Sequence, residues 1–401
     1  MNHPMNALPT GSGEVVFVQF SDQLLTNDPT MRDYYRDAYS KMPGYHFPEH
    51  YMEIPFWIPT VAGMLPSDRY EKSLHIVTDT EQSIAELATR QATLMFSVMD
   101  ANTAHVQNIA RHVENKIVMG GYTDPAEYAD LPHTRYVSGL EELPAVFGGA
   151  NTNAGPDYSL FAGEKCIPRL TLSTGCSFKC KFCTVPTAVN EVDTSAIEAQ
   201  TDALRPLDFD LIFLDDKSFG QADNWQQIET VRDQVAAYNP DFSGFIAQTP
   251  PSLALRKGFL KGAIDRGLRY LEIGVETVND KYLADFKKPF RVHHLEKLCG
   301  EARKLGLPLI PNFILGIPGD DYRATIAWVE ANKDIIPVVN INFLSAHFGA
   351  ERGGLPFGDG STADADQNSL EKSWLSHDDT LRMHEAMLAI YAITRTRTDN
   401  P

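Results

Sequence analysis

The chain has 401 residues, of which 53 are acidic and 35 basic, so its formal net charge is −18. This length suits two domains of ordinary size, and a composition of 43% hydrophobic and 22% charged residues is that of a globular protein. The acidic balance argues against a nucleic-acid binder. The apolar runs are shorter than the roughly 18 residues of a membrane span, and the N-terminus lacks a secretory signal pattern. We therefore expect a cytoplasmic protein with no membrane or nucleic-acid partner.

In the N-terminal half, the apolar run at residues 15–20 predicts a buried strand, and strand and helix patterns alternate from about 74 to 140. This alternation predicts a parallel sheet covered on both faces, which binds ligands beyond its strand carboxyl ends. We predict a Rossmann-like (flavodoxin-like) α/β domain over residues 1–150, ended by a linker rich in glycine and asparagine. It carries a tyrosine-rich insertion at 21–60, which is either a lid or a packed surface excursion.

The second half alternates again, with six strand patterns at 169–174, 211–216, 243–248, 270–276, 307–316 and 338–345. Six β/α units in this length predict a partial (β/α)6 TIM-type barrel over residues 160–345, with its active residues at the carboxyl ends of the strands. A glycine-rich loop and a C-terminal helix are expected over residues 346–401.

Cysteine usage gives the first sign of chemistry. The chain has five cysteines, an odd and sparse set that is typical of a reducing compartment and not of a disulfide framework. Three of them, Cys176, Cys180 and Cys183, lie in one loop directly after the first barrel strand. Thiolates at i, i+4 and i+7 can hold three corners of a cubane iron–sulfur cluster, which leaves one iron open to a ligand.

A zinc site built from the same thiolates and a fourth ligand is the alternative. Cys166 is the obvious fourth candidate, but six extended residues put it about 20 Å away, at the opposite end of the barrel. A histidine from elsewhere in the chain is the other candidate. Cys299 lies among leucines and an alanine at helical spacing and is most simply a core thiol, and Cys166 is expected to be structural as well.

The spacing CxxxCxxC, with Phe182 before the last cysteine, resembles the radical S-adenosylmethionine (radical SAM) superfamily, and the resemblance covers roughly residues 165–345. The runs LDDKSFG (214–220), LEIGVET (271–277) and NFILGIPGD (312–320) resemble motifs of the branch that carries an N-terminal cobalamin-type domain. The resemblance implies a [4Fe–4S] cluster on the three cysteines and SAM on its open iron, where an electron cleaves a C–S bond.

It also implies a set of SAM-binding residues, namely Phe182, Asp216, Glu276, Asn312 and Gly316. Read from the residues alone, Glu276 is a strand-end carboxylate suited to a ribose hydroxyl or an ammonium group. The glycines of the Gly-Ile-Pro-Gly turn let the backbone approach a ligand closely. Each of these residues has a plainer interpretation as a cap or a turn residue.

The order of elements from 14 to 140 resembles the cobalamin-binding domain of that branch. Ser97, Gly120 and Gly121 end strands where the branch contacts cobalamin, so they are the candidate cobalamin-binding residues. The Asp-x-His-x-x-Gly signature is absent, so no histidine from it would serve as the lower ligand of cobalt. The alternative is a domain that has kept the fold and lost the ligand.

The resemblance favours an enzyme that acts on a small molecule, because the extension beyond the barrel is short and shows no basic tail. The leading hypothesis is cobalamin-dependent methyl transfer in secondary metabolism, with an electron donor such as flavodoxin or ferredoxin. One alternative is cobalamin-independent transfer of the 3-amino-3-carboxypropyl group of SAM, and another is a radical rearrangement. A non-catalytic module that binds cobalamin or a metal is the alternative outside enzymology.

Overall fold

The structure is a computed structural model that describes residues 13–25, 29–345, 370 and 372–395. Within these ranges, no helix is long and apolar enough to cross a membrane. The predicted glycine-rich loop, at residues 346–369, lies outside the described residues.

The strands, in chain order, are β1 Gly13–Phe20, β2 Tyr70–Val77, β3 Ala92–Val98, β4 Lys116–Gly121, β5 Thr134–Tyr136, β6 Arg169–Leu170, β7 Ser173–Thr174, β8 Asn190–Glu191, β9 Leu211–Leu214, β10 Gly244–Thr249, β11 Leu268–Glu276, β12 Leu309–Leu315 and β13 Asn340–Phe343. The α-helices are α1 Asp22–Leu25, α2 Pro29–Ser40, α3 Trp57–Met64, α4 Thr80–Leu87, α5 Thr103–His112, α6 Leu143–Val146, α7 Thr194–Ala203, α8 Ile228–Ala236, α9 Pro251–Ala254, α10 Phe259–Asp265, α11 Asp280–Asp285, α12 Val292–Leu305, α13 Arg323–Asn332 and α14 His377–Arg395. Short 3₁₀ helices lie at Asp100–Asn102, Pro125–Tyr128, Leu140–Glu142, Ser159–Phe161 and Asp223–Gln227.

Packing divides the chain into two compact units. The first comprises the described parts of Met1–Thr26, Pro48–Glu164 and Asp202–Asp208, and the second comprises those of Asn27–Phe47, Lys165–Thr201 and Phe209–Pro401. Part of the predicted insertion at 21–60 thus packs with the second unit, although it lies between two strands of the first unit. The predicted domain limits at residues 150, 160 and 345 stay predictions.

The first unit contains a five-stranded parallel sheet of order β2-β1-β3-β4-β5. Four consecutive residues of β1, from Val15 to Val18, are buried, as expected where both faces of a parallel sheet are covered. On one face, Val16 and Val18 pack in a core with Val106 and Ile109 of α5. This strand order is that of flavodoxin-like doubly wound sheets, so the predicted Rossmann-like class is confirmed.

The second unit contains six parallel strands in the order β6-β9-β10-β11-β12-β13. Each strand neighbours the next strand along the chain apart from the short antiparallel pair β7–β8, so the carboxyl ends of all six lie at the same edge. The predicted six-unit partial barrel and the C-terminal helical extension are therefore confirmed.

The first barrel strand is shorter than the pattern at 169–174 predicts. It splits into β6 and β7, and β7 pairs antiparallel with β8. The physical cause is Asp216, whose carboxylate accepts the N–H groups of Leu172 and Ser173 at 2.8 and 3.1 Å. These amides are then unavailable for a strand ladder, and the chain turns toward the cysteine loop.

Tyrosines of α2 satisfy open backbone groups of β13, the last strand of this sheet, and of Val339 directly before it. The hydroxyl of Tyr35 accepts the N–H of Ile341 at 2.8 Å and donates to its carbonyl at 3.2 Å. The hydroxyl of Tyr34 accepts the N–H of Val339 at 3.1 Å, and its ring stacks on Tyr391 with centroids 3.7 Å apart. Because α2 covers a sheet edge in this way, the structure favours the packed excursion over the lid.

Candidate active site

A cavity of about 180 Å³ opens at the carboxyl ends of the barrel strands. Residues from several strands and from the cysteine loop line it: Cys176, Phe178, Cys180, Phe182, Cys183, Lys217, Ser218, Gln248, Thr249, Pro250, Gly274, Glu276, Lys288, Pro289 and Asn312. The structure therefore brings together the three cysteines and three of the five predicted SAM-binding residues. Asp216 and Gly316 are not among the lining residues.

The cysteine loop is held by backbone bonds that depend on a glycine. Gly175 has a φ of +77°, and a Cβ there would lie 1.8 Å from the carbonyl oxygen of Ala188, so only glycine fits. The N–H of Cys176 donates to the carbonyl of Pro186 at 2.9 Å. The amide of Gln221 donates to the Gly175 carbonyl at 2.9 Å and accepts the N–H of Ser177 at 3.1 Å. The loop is thus fixed on both sides of its first cysteine.

The three thiols share one environment. Burial raises the pKa of Cys180 and Cys183, and the cation of Lys288 opposes that rise at both. Within the described ranges, no group of three His, Cys, Asp or Glu side chains is arranged around a single metal ion. A cubane cluster has a different requirement, because each of its thiolates binds a different iron. Cys166 and Cys299 do not line the cavity and are fully buried, and burial raises the pKa of Cys299 to about 12, as expected of a core thiol.

An ion pair forms one wall of the cavity. Lys288 Nζ lies 2.7 Å from Glu276 Oε1, and the two side chains are only 7% and 11% exposed. The pairing of β11 with β12 shifts register between Gly274 and Glu276, and Glu276 has a φ of +63°. A bulge with a left-handed residue re-aims a strand-end side chain, and here it directs the carboxylate toward the cavity.

Glycine 274 makes room for this pair, since a Cβ on it would lie 2.8 Å from Glu276 Oε1 and 3.3 Å from Lys288 Nζ. Burial alone would lower the pKa of Lys288, but the Glu276 carboxylate and the nearby thiols hold it above the usual value. The Lys288 ammonium also lies 5.6 Å from the ring centres of Phe182 and Phe290, where a cation is favoured. Lys288 is therefore a fixed, buried positive charge.

Phe182 anchors the cysteine loop. Its ring meets Phe286 edge to face with centroids 5.4 Å apart. It packs against a small apolar cluster around Phe286, Ile317 and Leu344. Because Phe182 precedes Cys183 directly, this packing fixes the last cysteine of the motif.

Asp216 stabilises the backbone just before the cysteine loop and does not line the cavity. It is 1% exposed, and besides the amides of Leu172 and Ser173 it accepts the Ser173 hydroxyl at 2.6 Å. Burial raises the pKa of this carboxyl, while the three bonds oppose the rise. These contacts give Asp216 a positioning role, and its predicted contact with SAM stays a prediction.

Asn312 and Gly316 both belong to the β12 region but differ in placement. Asn312 lines the cavity, and its Oδ1 accepts the amide of Asn340 at 2.8 Å. Gly316 has a φ of +84°; its N–H donates to the Tyr322 hydroxyl at 2.9 Å, and its carbonyl accepts the Trp374 indole N–H at 3.1 Å. These contacts close the turn after β12.

The candidate cobalamin residues lie together on the first unit's sheet. Ser97 is paired with Gly120, and Val98 with Gly121, at the carboxyl ends of β3 and β4. A Cβ on Gly120 would lie 2.7 Å from the Val137 carbonyl oxygen, and a Cβ on Gly121 would lie 2.0 Å from the Val98 carbonyl oxygen. The packing of the chain itself therefore requires these glycines.

Sequence reasoning missed several lining residues, above all Lys288, Gln248 and Lys217. Lys288 lies in a run of two lysines and a proline that resembles a solvated surface turn. No local signal distinguishes it, because its burial arises from long-range packing against Glu276 and two phenylalanines.

Residues 170–330 match the family model of the Radical SAM superfamily. No curated protein sequence matches the chain significantly.

Among solved structures, the fold is similar to that of the radical S-adenosylmethionine methyltransferase TsrM from Kitasatospora setae, with a TM-score of 0.59 at 12% identity over 95% of this chain and 89% of TsrM. TsrM has been solved with cobalamin and a [4Fe–4S] cluster, and with tryptophan substrate and aza-SAM. The cobalamin-dependent S-adenosylmethionine radical enzyme OxsB matches with a TM-score of 0.55 at 14% identity, over 81% of this chain and 52% of OxsB. At these identities the likeness concerns the fold, and it extends over both units.

Proposed function

We propose that this protein is an enzyme that binds a [4Fe–4S] cluster on Cys176, Cys180 and Cys183 and uses SAM to modify a small molecule. Residues 170–330 match the family model of the Radical SAM superfamily, which supports this proposal. The reaction that we propose is cobalamin-dependent methyl transfer, with a small electron-transfer protein such as flavodoxin or ferredoxin as reductant. The observation that carries the proposal is one cavity lined by three thiols, a buried ion pair and an amide.

The donor set fits the cluster. Three thiolates hold three irons of a cubane and leave the fourth iron for a ligand, and all three thiols line the same cavity. When bound, the reduced cluster would supply the electron that cleaves a C–S bond of SAM. The chain's own contribution is to hold the thiols in place through the turn at Gly175, the hydrogen bonds of the Gln221 amide and the packing of Phe182.

The polar walls fit the amino-acid part of SAM, which carries an ammonium and a carboxylate. The Glu276 carboxylate accepts from Lys288 through Oε1, and its second oxygen offers an acceptor for an ammonium or a ribose hydroxyl. The amide of Asn312 and the ammonium of Lys288 are donors for acceptor atoms of the ligand. In a cavity partly shielded from water these interactions are stronger than in bulk water.

Two features support a cobalamin site in the first unit. Its sheet has the order of a flavodoxin-like fold, whose ligands bind beyond the carboxyl ends of the strands. At that edge Met99 and Tyr122, which follow β3 and β4, are 45% and 79% exposed. Exposed apolar side chains beside a strand edge suit a large flat ligand, and the similar TsrM has been solved with cobalamin.

A second function is favoured by one observation. The space beside Gly120 and Gly121 is filled by carbonyls of the chain itself, so these glycines by themselves do not form a cradle for a nucleotide tail. If the first unit does not bind cobalamin, we propose cobalamin-independent transfer of the 3-amino-3-carboxypropyl group from SAM.

One experiment tests both functions. The protein is reconstituted anaerobically with iron, sulfide and cobalamin and freed of unbound ligand, and then its cobalamin content and the nucleosides formed from SAM on reduction are measured. Cys180→Ala removes a cluster ligand, and Cys299→Ala is the matched control because that thiol is a core group outside the cavity.

Bound cobalamin with S-adenosylhomocysteine and 5′-deoxyadenosine as products would support methyl transfer. Absence of cobalamin with 5′-methylthioadenosine as the main product would refute it and support aminocarboxypropyl transfer. Full iron loading of Cys180→Ala would contradict the cluster assignment itself.

A further inference from the structure

A chain of side-chain hydrogen bonds runs from α2 to the cavity wall. The hydroxyl of Tyr39 donates to Asn340 Oδ1 at 2.7 Å, and Asn340 Nδ2 donates to Asn312 Oδ1 at 2.8 Å. Asn340 and Asn312 are direct cross-strand partners on β13 and β12, so their side chains lie on the same face of the sheet. All three residues belong to the second unit.

In the arrangement that the structure shows, the Tyr39 hydroxyl donates and Asn340 Oδ1 accepts. A tyrosine hydroxyl has one hydrogen, and when it donates to Asn340 it requires an amide oxygen there. The Asn340 amide must then point its nitrogen at Asn312, which in turn must present its oxygen. The remaining polar group of Asn312, the Nδ2 donor, is the one left for a ligand in the cavity.

We propose that Tyr39 and Asn340 are positioning residues that hold the Asn312 amide with its NH₂ group toward the cavity, where it donates to an acceptor atom of SAM. This inference rests on the proposed function, and it gives helix α2 a role in ligand binding besides covering the sheet edge. An asparagine has two nearly isosteric orientations, and only one of them offers a donor to the ligand. The relay selects that orientation before the ligand arrives.

The size of the effect follows from this selection. Without the relay the Asn312 amide would present the wrong group about half of the time, which alone weakens binding about twofold. If the ligand also loses one net hydrogen bond, the dissociation constant for SAM rises by up to about tenfold.

The test is a double-mutant cycle on the dissociation constant for SAM, measured by anaerobic calorimetry on the cluster-loaded protein. Tyr39→Phe removes only the hydroxyl, because the ring keeps its stacking on Tyr45 at 4.9 Å and its edge contact with Phe47 at 5.7 Å. Tyr35→Phe is the matched control: it removes a hydroxyl from the same helix that bonds to the same strand outside the relay.

We expect Tyr39→Phe to raise the dissociation constant about two- to tenfold and Tyr35→Phe to leave it unchanged. In an Asn312→Ala background, Tyr39→Phe should have no further effect, because the group that it positions is gone. Asn340→Asp should weaken binding more than Tyr39→Phe, since a carboxylate there accepts from Asn312 and reverses its amide.

An unchanged dissociation constant in Tyr39→Phe, or an equal effect of Tyr39→Phe with and without Asn312, would overturn the relay. Absence of SAM binding by the wild-type protein would instead overturn the proposed function and this inference with it. A loss of affinity in Tyr35→Phe equal to that in Tyr39→Phe would mean that α2 acts only through stability.

Discussion

Asp216→Ala should detach the cysteine loop from the barrel. The substitution removes the acceptor of two buried backbone N–H groups, those of Leu172 and Ser173, and of the Ser173 hydroxyl. The hydroxyl can rotate to another partner, but the two amides cannot, and each unsatisfied buried donor costs about 1–3 kcal/mol. We therefore expect the free energy of unfolding of the cluster-free second unit to fall by roughly 2–6 kcal/mol. Because these amides lie three and two residues before Gly175, where the cysteine loop begins, iron retention should fall as well.

Asp216→Asn is the informative companion variant. An amide oxygen still accepts the two N–H groups, and its nitrogen can donate to the Ser173 hydroxyl, so most of the bonding remains. Burial raises the pKa of Asp216 above its unfolded value of 3.8. An acid with a raised pKa in the folded state makes the protein lose stability as the pH rises from 3.8 through the folded pKa. The neutral asparagine lacks this loss, so its stability relative to wild type should increase with pH over that window.

The assay is urea unfolding of the cluster-free protein at several pH values, with the iron content of the reconstituted variants measured in parallel. Asp215→Ala is the control, because Asp215 is paired with Arg169 and Lys217 and a partly exposed pair contributes about 1 kcal/mol or less. An Asp216→Ala variant that is as stable as Asp215→Ala and retains all of its iron would show that Asp216 does not hold the cysteine loop.

Two further variants test the site, and one labelling experiment tests the assignment of Cys299 to the core. Lys288→Met leaves the Glu276 carboxylate buried without its cation, so the free energy of unfolding in urea should fall by about 3–5 kcal/mol. Adding Glu276→Gln removes the unpaired charge and should restore the stability. A double variant that is no more stable than Lys288→Met would contradict the role given to the ion pair. Gly175→Ala should abolish iron loading, because its Cβ would overlap the Ala188 carbonyl oxygen. Gly163 also has a positive φ, of +80°, but nothing lies within 4 Å of a Cβ there, so Gly163→Ala is the control and should load iron normally. Equal iron loading of the two variants would show that the Ala188 carbonyl does not exclude a side chain. In the folded, cluster-free protein at pH 8, Cys299, whose pKa is raised to about 12, should resist alkylation as judged by mass spectrometry, and rapid modification would show that it is accessible.

Local patterns were enough to predict the fold class and the cluster loop. The strand and helix alternation is a periodicity signal, and the spacing of Cys176, Cys180 and Cys183 is one that can hold three corners of a cubane. Glu276 and Asn312 could be placed at the cavity because strand carboxyl ends meet at one edge.

What the sequence could not yield depends on long-range contacts. Asp216 turns to the backbone of Leu172 and Ser173 and stays outside the cavity, and strand alternation alone does not fix that choice. Lys288 becomes a buried cation only because Glu276 and two rings surround it. The tyrosines of α2 find their partners on β13 about 300 residues later in the chain, a distance at which composition carries no information.

We propose above all that Cys176, Cys180 and Cys183 hold a [4Fe–4S] cluster whose open iron binds SAM. The measurement that tests it most directly is electron paramagnetic resonance of the anaerobically reconstituted and reduced protein, recorded with and without SAM. We expect the signal of one reduced [4Fe–4S] cluster per chain, a change of that signal on addition of SAM, and its loss in Cys180→Ala but not in Cys299→Ala. A protein that holds one zinc ion per chain and shows no cluster signal would contradict it.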